Sequence, residues 1–271
     1  SLKQFIRAKP IRFGYKLWAM CGENGYCYDF SLYCGRETKE NVKTKEPLGT
    51  RIILEKSSLI SDPSSHHIYF DNYFTSHDLL CRLKEKGFKA TGTIRENRIA
   101  KCPLLETKEL RKKERGYYDS KFDHENEILV VRWNDNRPVT VATNFDTLHP
   151  LNYVTRWSSK DSKRIQINQP KLINNYNKFM GGVDQHDWYL ERHHIRVRGK
   201  KWYWCLFTRA IDMALVNAYI LHKNINDPKA CIKDFRRYIA KCYLKANCHR
   251  MSSGRPVATI PCSSKTRVFE D

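Results

Sequence analysis

Short apolar runs alternate with polar punctuation along this chain, and the spacing within the runs changes from segment to segment. Residues 10–20 ("PIRFGYKLWAM") and 25–35 ("GYCYDFSLYCG") are dense in aromatic and β-branched side chains. Gly22-Glu23-Asn24-Gly25 between them is turn chemistry, so the pair predicts an antiparallel hairpin. Residues 48–60 ("LGTRIILEKSSLI") carry apolar positions at helical spacing, with Thr50 as the expected cap. "HHIYF" (66–70) is the next strand. "TSHDLLCRLKEKG" (75–87) then predicts a helix: Thr75 or Ser76 caps it, Leu79, Leu80 and Leu83 form its stripe, and Gly87 stops it. "FKATGTIR" (88–95) returns to a strand.

That order predicts a mixed α/β sheet. The rhythm breaks over residues 98–171, which open on the charged "KELRKKERG" and continue with strands near 116–122, 127–133 and 138–144. "NDNRP" joins the last two as a turn, so the segment reads as a β-rich insertion. After Pro170 the pattern becomes helical. Residues 201–223 predict a long helix whose apolar stripe is Phe207, Ile211, Leu215 and Ile220.

Charge changes the picture. The chain has 271 residues, 49 Lys+Arg against 29 Asp+Glu, and a net charge of +20. Such an excess favours a polyanionic partner, nucleic acid first and an anionic membrane surface second. Residues 191–271 hold 17 basic against 6 acidic residues, while the remainder hold 32 against 23. The tail is therefore much the more basic part. Ten cysteines suggest disulfides or zinc, but no C-x-x-C pair exists and Cys21, Cys27 and Cys34 are six and seven apart. Free thiols in a reducing compartment are the expectation, with no zinc site. The most apolar segment, 202–222, is interrupted by Arg209 and Asp212, so no membrane span is expected.

Two groups of acids are candidates for chemistry. Asp71 follows the strand "HHIYF" directly, at the carboxyl edge where open α/β sheets bind ligands. On its own it reads first as a turn residue that hydrogen-bonds its own backbone. In "MGGVDQHD", Gly181-Gly182 introduces a helix that puts Asp184 and Asp187 three apart on one face. Either one alone is explained by the helix dipole. Two together repel, and a divalent cation between them would remove the conflict; carboxylates suit Mg²⁺ or Mn²⁺. His186 lies two residues from Asp184 and faces away, which fits a surface or packing role.

The blocks "FDNYFTS", "KATGTIREN", "NNYNKFMGGVDQHD" and "RGKKWYWCLFTRAIDMALVNAYILHK" together resemble a piggyBac-type transposase or a host protein derived from one. The resemblance extends over essentially the whole chain, and "YNKFMGGVDQHD" is its most specific part. It implies a ribonuclease-H-like DDE/D fold with a C-terminal helical region, and Mg²⁺-dependent cleavage and joining of double-stranded DNA at TTAA sites. Asp71 matches the family's second catalytic aspartate, Asp184 its third, and Asp187 an additional acid close by; all three are expected to hold the two Mg²⁺ ions, with Mn²⁺ able to substitute. The resemblance further implies a nuclear homodimer.

On this reading residues 1–97 and 172–192 are the two parts of the catalytic core, 98–171 the insertion, and 193–271 a helical region for dimerisation and DNA binding. Within the last, "RHHIRVRGKKWYW" interleaves cations with aromatics. Arg196, Arg198, Lys200 and Lys201 are the expected phosphate contacts, while Trp202 and Trp204 are expected in the core. The family's first catalytic aspartate would precede Ser1, on a strand between the hairpin and "HHIYF"; neither Asp29 nor Asp62 replaces it. The family's C-terminal zinc module would follow the last helix. The chain is thus expected to be a fragment, inactive alone and only marginally folded. The rival expectation is a domesticated derivative that binds DNA or chromatin without catalysis.

Overall fold

Three consecutive antiparallel strands, Tyr118–Asp123, Ile128–Asn134 and Pro138–Thr143, organise the molecule. In "ILVVRWN" the side chains of Val130 and Val131 leave the strand on opposite faces, and both are buried. Each face of the sheet therefore needs its own cover. The computed structural model describes residues 2–5, 13–35, 46–99, 101–159, 162–195, 197 and 199–246.

In chain order the strands and helices are β1 (Gln4–Phe5), β2 (Phe13–Gly14), β3 (Leu17–Cys21), β4 (Cys27–Leu32), α1 (Leu48–Ser57), β5 (His67–Phe70), α2 (His77–Glu85), β6 (Lys89–Thr93) and α3 (Thr107–Leu110). They continue with β7 (Tyr118–Asp123), β8 (Ile128–Asn134), β9 (Pro138–Thr143), β10 (Asn152–Ser158), β11 (Lys163–Gln169), α4 (Lys171–Phe179), α5 (Gly182–Arg192), α6 (Trp204–Ile225) and α7 (Ile232–Ala246). Five strands form one mixed sheet in the order β5-β6-β9-β8-β7, in which β5 and β6 run parallel and the other pairs antiparallel.

The expected boundary at 97/98 is not a sheet boundary. Strands β7–β9, read from the sequence as an insertion, pair through β9 onto β6 and extend the sheet that carries β5. Within the same segment, β10 and β11 form a separate antiparallel ribbon. By compactness the chain divides at Leu221/His222 rather than at 192/193, giving units of residues 1–221 and 222–271.

In the first unit, one face of the sheet packs Phe70, Ala90, Val130 and Ala142 against Leu79, Leu80 and Leu83 of α2. The other packs Val131, Trp133 and Val141 against Ile167 of β11 and Leu172 and Ile173 of α4. Burial on this scale stabilises by about 25 cal/mol per Å² of apolar surface removed from water. Asn144 closes the inner end of β6: its Oδ1 accepts from the Ala90 N–H (2.7 Å), and its Nδ2 donates to the Phe88 (2.9 Å) and Leu80 (3.2 Å) carbonyls.

Strands β3 and β4 form the expected hairpin, a two-stranded sheet of its own. Among the described residues no strand joins it to β5, whose only ladder is with β6. Two packing contacts attach it instead. Lys56 of α1, buried, reaches Asp29 (2.5 Å) and Ser31 (3.2 Å) on β4, and Trp18 of β3 stacks on Tyr73 with centroids 5.4 Å apart.

The helix caps follow local chemistry with one correction. Ser76 caps α2, accepting from the Leu79 N–H at 3.2 Å. Thr50 does not cap α1: Pro47 holds that position without a side-chain bond, and Thr50 is buried in the first turn. The stripe predicted for α6 is also rotated. Phe207 and Ile211 are exposed, while Asp212, Met213, Val216, Tyr219 and Ile220 face inward. By length and composition α6 could cross a membrane. Its buried Asp212, however, accepts from the Ile195 N–H at 2.9 Å, an arrangement of a helix packed within protein. In the second unit, α7 carries buried Ile232 and Phe235, with the Phe235 ring 5.2 Å from that of His222.

Candidate active site

Parallel β5 and β6 end side by side, and the chain leaves β5 through Asp71. The turn is fixed by the aspartate itself. Its Oδ1 accepts from the Tyr73 N–H at 2.8 Å, and its carbonyl accepts from the Thr75 hydroxyl at 2.8 Å and the Phe74 N–H at 3.2 Å. Asp71 thus fills the role of a turn aspartate and stays exposed at a strand end. Thr75, fully buried, sits against Gly92 of β6; a Cβ there would lie 2.4 Å from the Thr75 Oγ1 and 2.7 Å from the Phe70 ring. Only glycine lets the loop lie this close to the sheet.

Arginines brace the same loop from the far side. Arg98 donates to the carbonyl of Tyr73 at 2.7 Å and that of Asn72 at 3.3 Å, and Arg95 Nε donates to the Asn72 side chain at 3.1 Å.

Tyr176 of α4 connects the loop with the second acidic group. Its hydroxyl donates to the Phe70 carbonyl at 3.3 Å, one residue before Asp71, and lies 3.3 Å from Thr93 Oγ1 at the end of β6. Burial pushes the Tyr176 phenol above its usual range, and the charges of both Asp71 and Asp184 push it in the same direction. The two acids, 113 residues apart in sequence, thus influence one buried hydroxyl in the same direction.

Helix α5 begins at Gly182, whose Cβ position would lie 2.4 Å from the Gly22 carbonyl oxygen. Gly182 thus seats the helix on the hairpin turn. His186 completes the joint: it is buried, and its Nδ1–H donates to the Gly25 carbonyl at 2.8 Å. This is a packing role, one of the two expected for it. Asp184 occupies the first turn of α5 and is exposed.

Asp187 behaves differently. Its carboxylate lies 3.5 Å from Arg209 of α6, which also meets Glu191 at 3.3 Å. Desolvation raises the Asp187 carboxyl above the usual range, Arg209 and His186 oppose the rise, and Asp184 and Glu191 add to it. Its side chain keeps 61% exposure, so solvent screens much of this effect. Of the three predicted acids, Asp71 and Asp184 are exposed and Asp187 faces Arg209. Among the described residues no three His, Cys, Asp or Glu side chains are grouped closely enough to hold a metal ion. As exposed hard oxygen donors, Asp71 and Asp184 fit a divalent cation; Asp187 is engaged by Arg209. Asp29, paired with Lys56, and Asp62, which accepts from Ser64 at 2.8 Å, lie in other arrangements.

Of the predicted DNA contacts, Arg196 and Arg198 lie outside the described residues, and Lys200 and Lys201 are exposed. Trp202 corrects an expectation: it is 57% exposed rather than in the core, its carbonyl accepting from the Tyr15 hydroxyl at 3.3 Å. Trp204 is half-buried against Phe207. Sequence reasoning gave no role to Tyr176, Arg95 or Arg98. Tyr176 stands in the "NNYNKF" block, but nothing local marks its hydroxyl as a partner of the strand that ends at Asp71.

A family model described as Transposase IS4 matches residues 1–219. Human PiggyBac transposable element-derived protein 3 is 41% identical over 258 residues, covering 93% of this chain and 43% of the relative. Human PiggyBac transposable element-derived protein 2 is 37% identical over 256 residues, covering 93% and 43%. The chain thus spans less than half the length of these curated relatives. Among solved structures, a piggyBac transposase synaptic complex with hairpin DNA, seen by cryo-EM, superposes with a TM-score of 0.69 at 22% identity over 93% of this chain and 52% of that one. That likeness gives the fold, the ribonuclease-H-like mixed sheet that the sequence motifs implied. The chain belongs to the Transposase IS4 family, and its similarity to piggyBac-type members runs over nearly its whole length.

Proposed function

We propose that this chain carries part of a DNA strand-cleaving and strand-joining centre, with Asp71 and Asp184 as carboxylate ligands for Mg²⁺ or Mn²⁺. The observation that carries the reading is Asp71, exposed at the carboxyl end of parallel β5 with the preceding Phe70 carbonyl hydrogen-bonded to Tyr176 of the helix that leads to Asp184, in a chain of net charge +20. Bound divalent cations would supply Lewis-acid stabilisation of charge on the scissile phosphate. The chain's own residues do the placing. Tyr73 N–H and Thr75 hold Asp71 at the strand end, Gly182 and His186 seat the first turn of α5, and Asp187 holds Arg209 beside it. Double-stranded DNA is the substrate in this reading, with TTAA target sites, a homodimeric assembly and a nuclear setting as its further parts. The neighbour solved with hairpin DNA supports DNA as the partner.

The second reading is a transposase-derived protein that binds DNA without cutting it. The ion pair of Asp187 with Arg209 favours it. One experiment on the full-length protein separates the two: titration with Mn²⁺ followed by spin resonance, alongside gel assays on a duplex carrying TTAA-flanked ends. For the enzyme, Asp71→Asn and Asp184→Asn each lower Mn²⁺ uptake and reduce cleavage by about 10³-fold, the equivalent of several kcal/mol of lost charge stabilisation. Cleavage undiminished in either variant overturns that reading. DNA binding without Mn²⁺ uptake or cleavage establishes the second.

A further inference from the structure

Lys16 lies just before β3, and its ammonium is enclosed by rings. Its Nζ stands 3.8 Å from the centroid of Trp18, 4.8 Å from that of Tyr73 and 5.6 Å from that of Tyr33. The cage is itself packed: Trp18 stacks on Tyr73 with an interplanar angle of 26°, and Tyr33 meets Trp18 edge-on at 5.8 Å. Ring faces attract a cation but accept no ordinary hydrogen bond from it. No side-chain or backbone oxygen among the described residues accepts from this ammonium, whose three N–H donors remain to be used.

The cage is built on the Asp71 loop. Tyr73, one of its walls, is the residue whose N–H holds the Asp71 carboxylate at 2.8 Å. Asp71 is also the acid whose charge reaches the Lys16 ammonium, favouring its charged form, while desolvation against the rings weighs more and lowers its pKa. A half-buried cation at the rim of an acidic strand end, with donors unspent, is matched by an anionic oxygen that arrives with the substrate. A phosphodiester oxygen has the required charge and acceptor geometry, and an ammonium on a flexible stem takes it as a point charge.

We infer that Lys16 is a phosphate-binding residue of the Asp71 site, its ammonium held over Trp18, Tyr33 and Tyr73 to take a backbone oxygen of the DNA strand presented to Asp71. The inference rests on the DNA reading above and adds a contact to it. In a sequence-independent complex one phosphate contact contributes about 0.9 to the slope of log K against log salt.

The test compares full-length wild type with Lys16→Gln and Lys16→Arg on one duplex, by fluorescence anisotropy between low and high salt. Lys16→Gln should flatten the slope by about 0.9, and Lys16→Arg, which keeps the charge and stacks on aromatic rings, should restore it. A second arm replaces single phosphates by neutral methylphosphonates. One position near the cleavage point should weaken wild type and leave Lys16→Gln indifferent. This arm reads wild type by itself and so holds if Lys16→Gln does not fold, in which case insensitivity of wild type at every position near that point overturns the inference. Equal slopes for wild type and Lys16→Gln, with DNA binding intact, overturn it alone. Absence of DNA binding by wild type overturns the DNA reading with it. Inorganic phosphate added as competitor distinguishes the sources: relief of the difference between the variants at millimolar phosphate would point to free phosphate rather than DNA, and would overturn the inference.

Discussion

At the scale of single residues, the site depends on one missing side chain. Gly92 lies under Thr75 and Phe70, the residues on either side of the Asp71 turn, and a methyl there would fall within 2.8 Å of three of their atoms. Neither neighbour can swing away, because Thr75 is fully buried with its hydroxyl on the Asp71 carbonyl and Phe70 belongs to the core cluster. Gly92→Ala should therefore cost about 1–3 kcal/mol, as overpacking does, and displace the turn. Urea unfolding reads the cost, and Mn²⁺ affinity at a urea concentration where the variant stays folded reads the displacement. A variant as stable as wild type would mean that the loop adjusts freely. This constraint was not legible beforehand, since "KATGTIR" reads as an ordinary strand and nothing in it announces the loop above. Asp71 was legible because its motif is contiguous. Lys16 was not, because Trp18, Tyr33 and Tyr73 are scattered over 56 residues and only folding assembles them.

At the scale of elements, the joint between the hairpin turn and α5 ties fold to site. His186 donates from Nδ1 to the Gly25 carbonyl, which leaves Nε2 a buried lone pair without a partner. Burial lowers the His186 pKa, opposed by the Gly25 carbonyl and the Asp187 charge and reinforced by Arg209. The sign follows directly. Below the unfolded value near 6.5 the unfolded chain binds a proton that the folded imidazole resists, so this contribution is intact above that pH and lost as pH falls through it. His67, also lowered by burial, acts in the same direction. Stability measured by urea at pH 7.5 and pH 5.5 should drop on acidification, and His186→Asn, which keeps a donor for Gly25 without a titrating ring, should reduce the drop. An undiminished drop would assign the pH response to other groups. Most elements were legible from pattern, since β7–β9 are rich in β-branched and aromatic residues separated by turn sequences and α2 has both cap and stop. The ribbon β10–β11 was not: its large aromatics Tyr153 and Trp157 point outward, at 72% and 58% exposure, inverting the usual alternation. Helix α6 is apolar on more than one face, so periodicity placed Ile220 in the packed stripe but also Phe207 and Ile211, which are exposed.

For the whole molecule, charge sets how DNA would be held. A net charge of +20 supplies attraction that is independent of sequence and weakens with salt, whereas the placement of individual cations decides which phosphates are touched. Lys200 and Lys201 are exposed beside Trp202 and Tyr203, which are 57% and 48% exposed, so this segment presents cations and aromatic faces together. Such a surface suits a nucleic-acid backbone with bases or sugars against the rings. Replacing Lys200 and Lys201 by Gln should lower the salt slope by about 1.8, and adding Arg196→Gln and Arg198→Gln should bring the loss to about 3.6 if all four touch phosphates. Arg237, on α7 and mostly exposed, serves as the control for general charge: it belongs to the second compact unit, and its neutralisation should leave the slope within error. Anisotropy titrations on one duplex at four salt concentrations measure all of these. A slope that falls equally for Arg237→Gln would mean that the bulk charge acts without defined contacts. A slope that falls only for the 196–201 set would place the DNA along this segment.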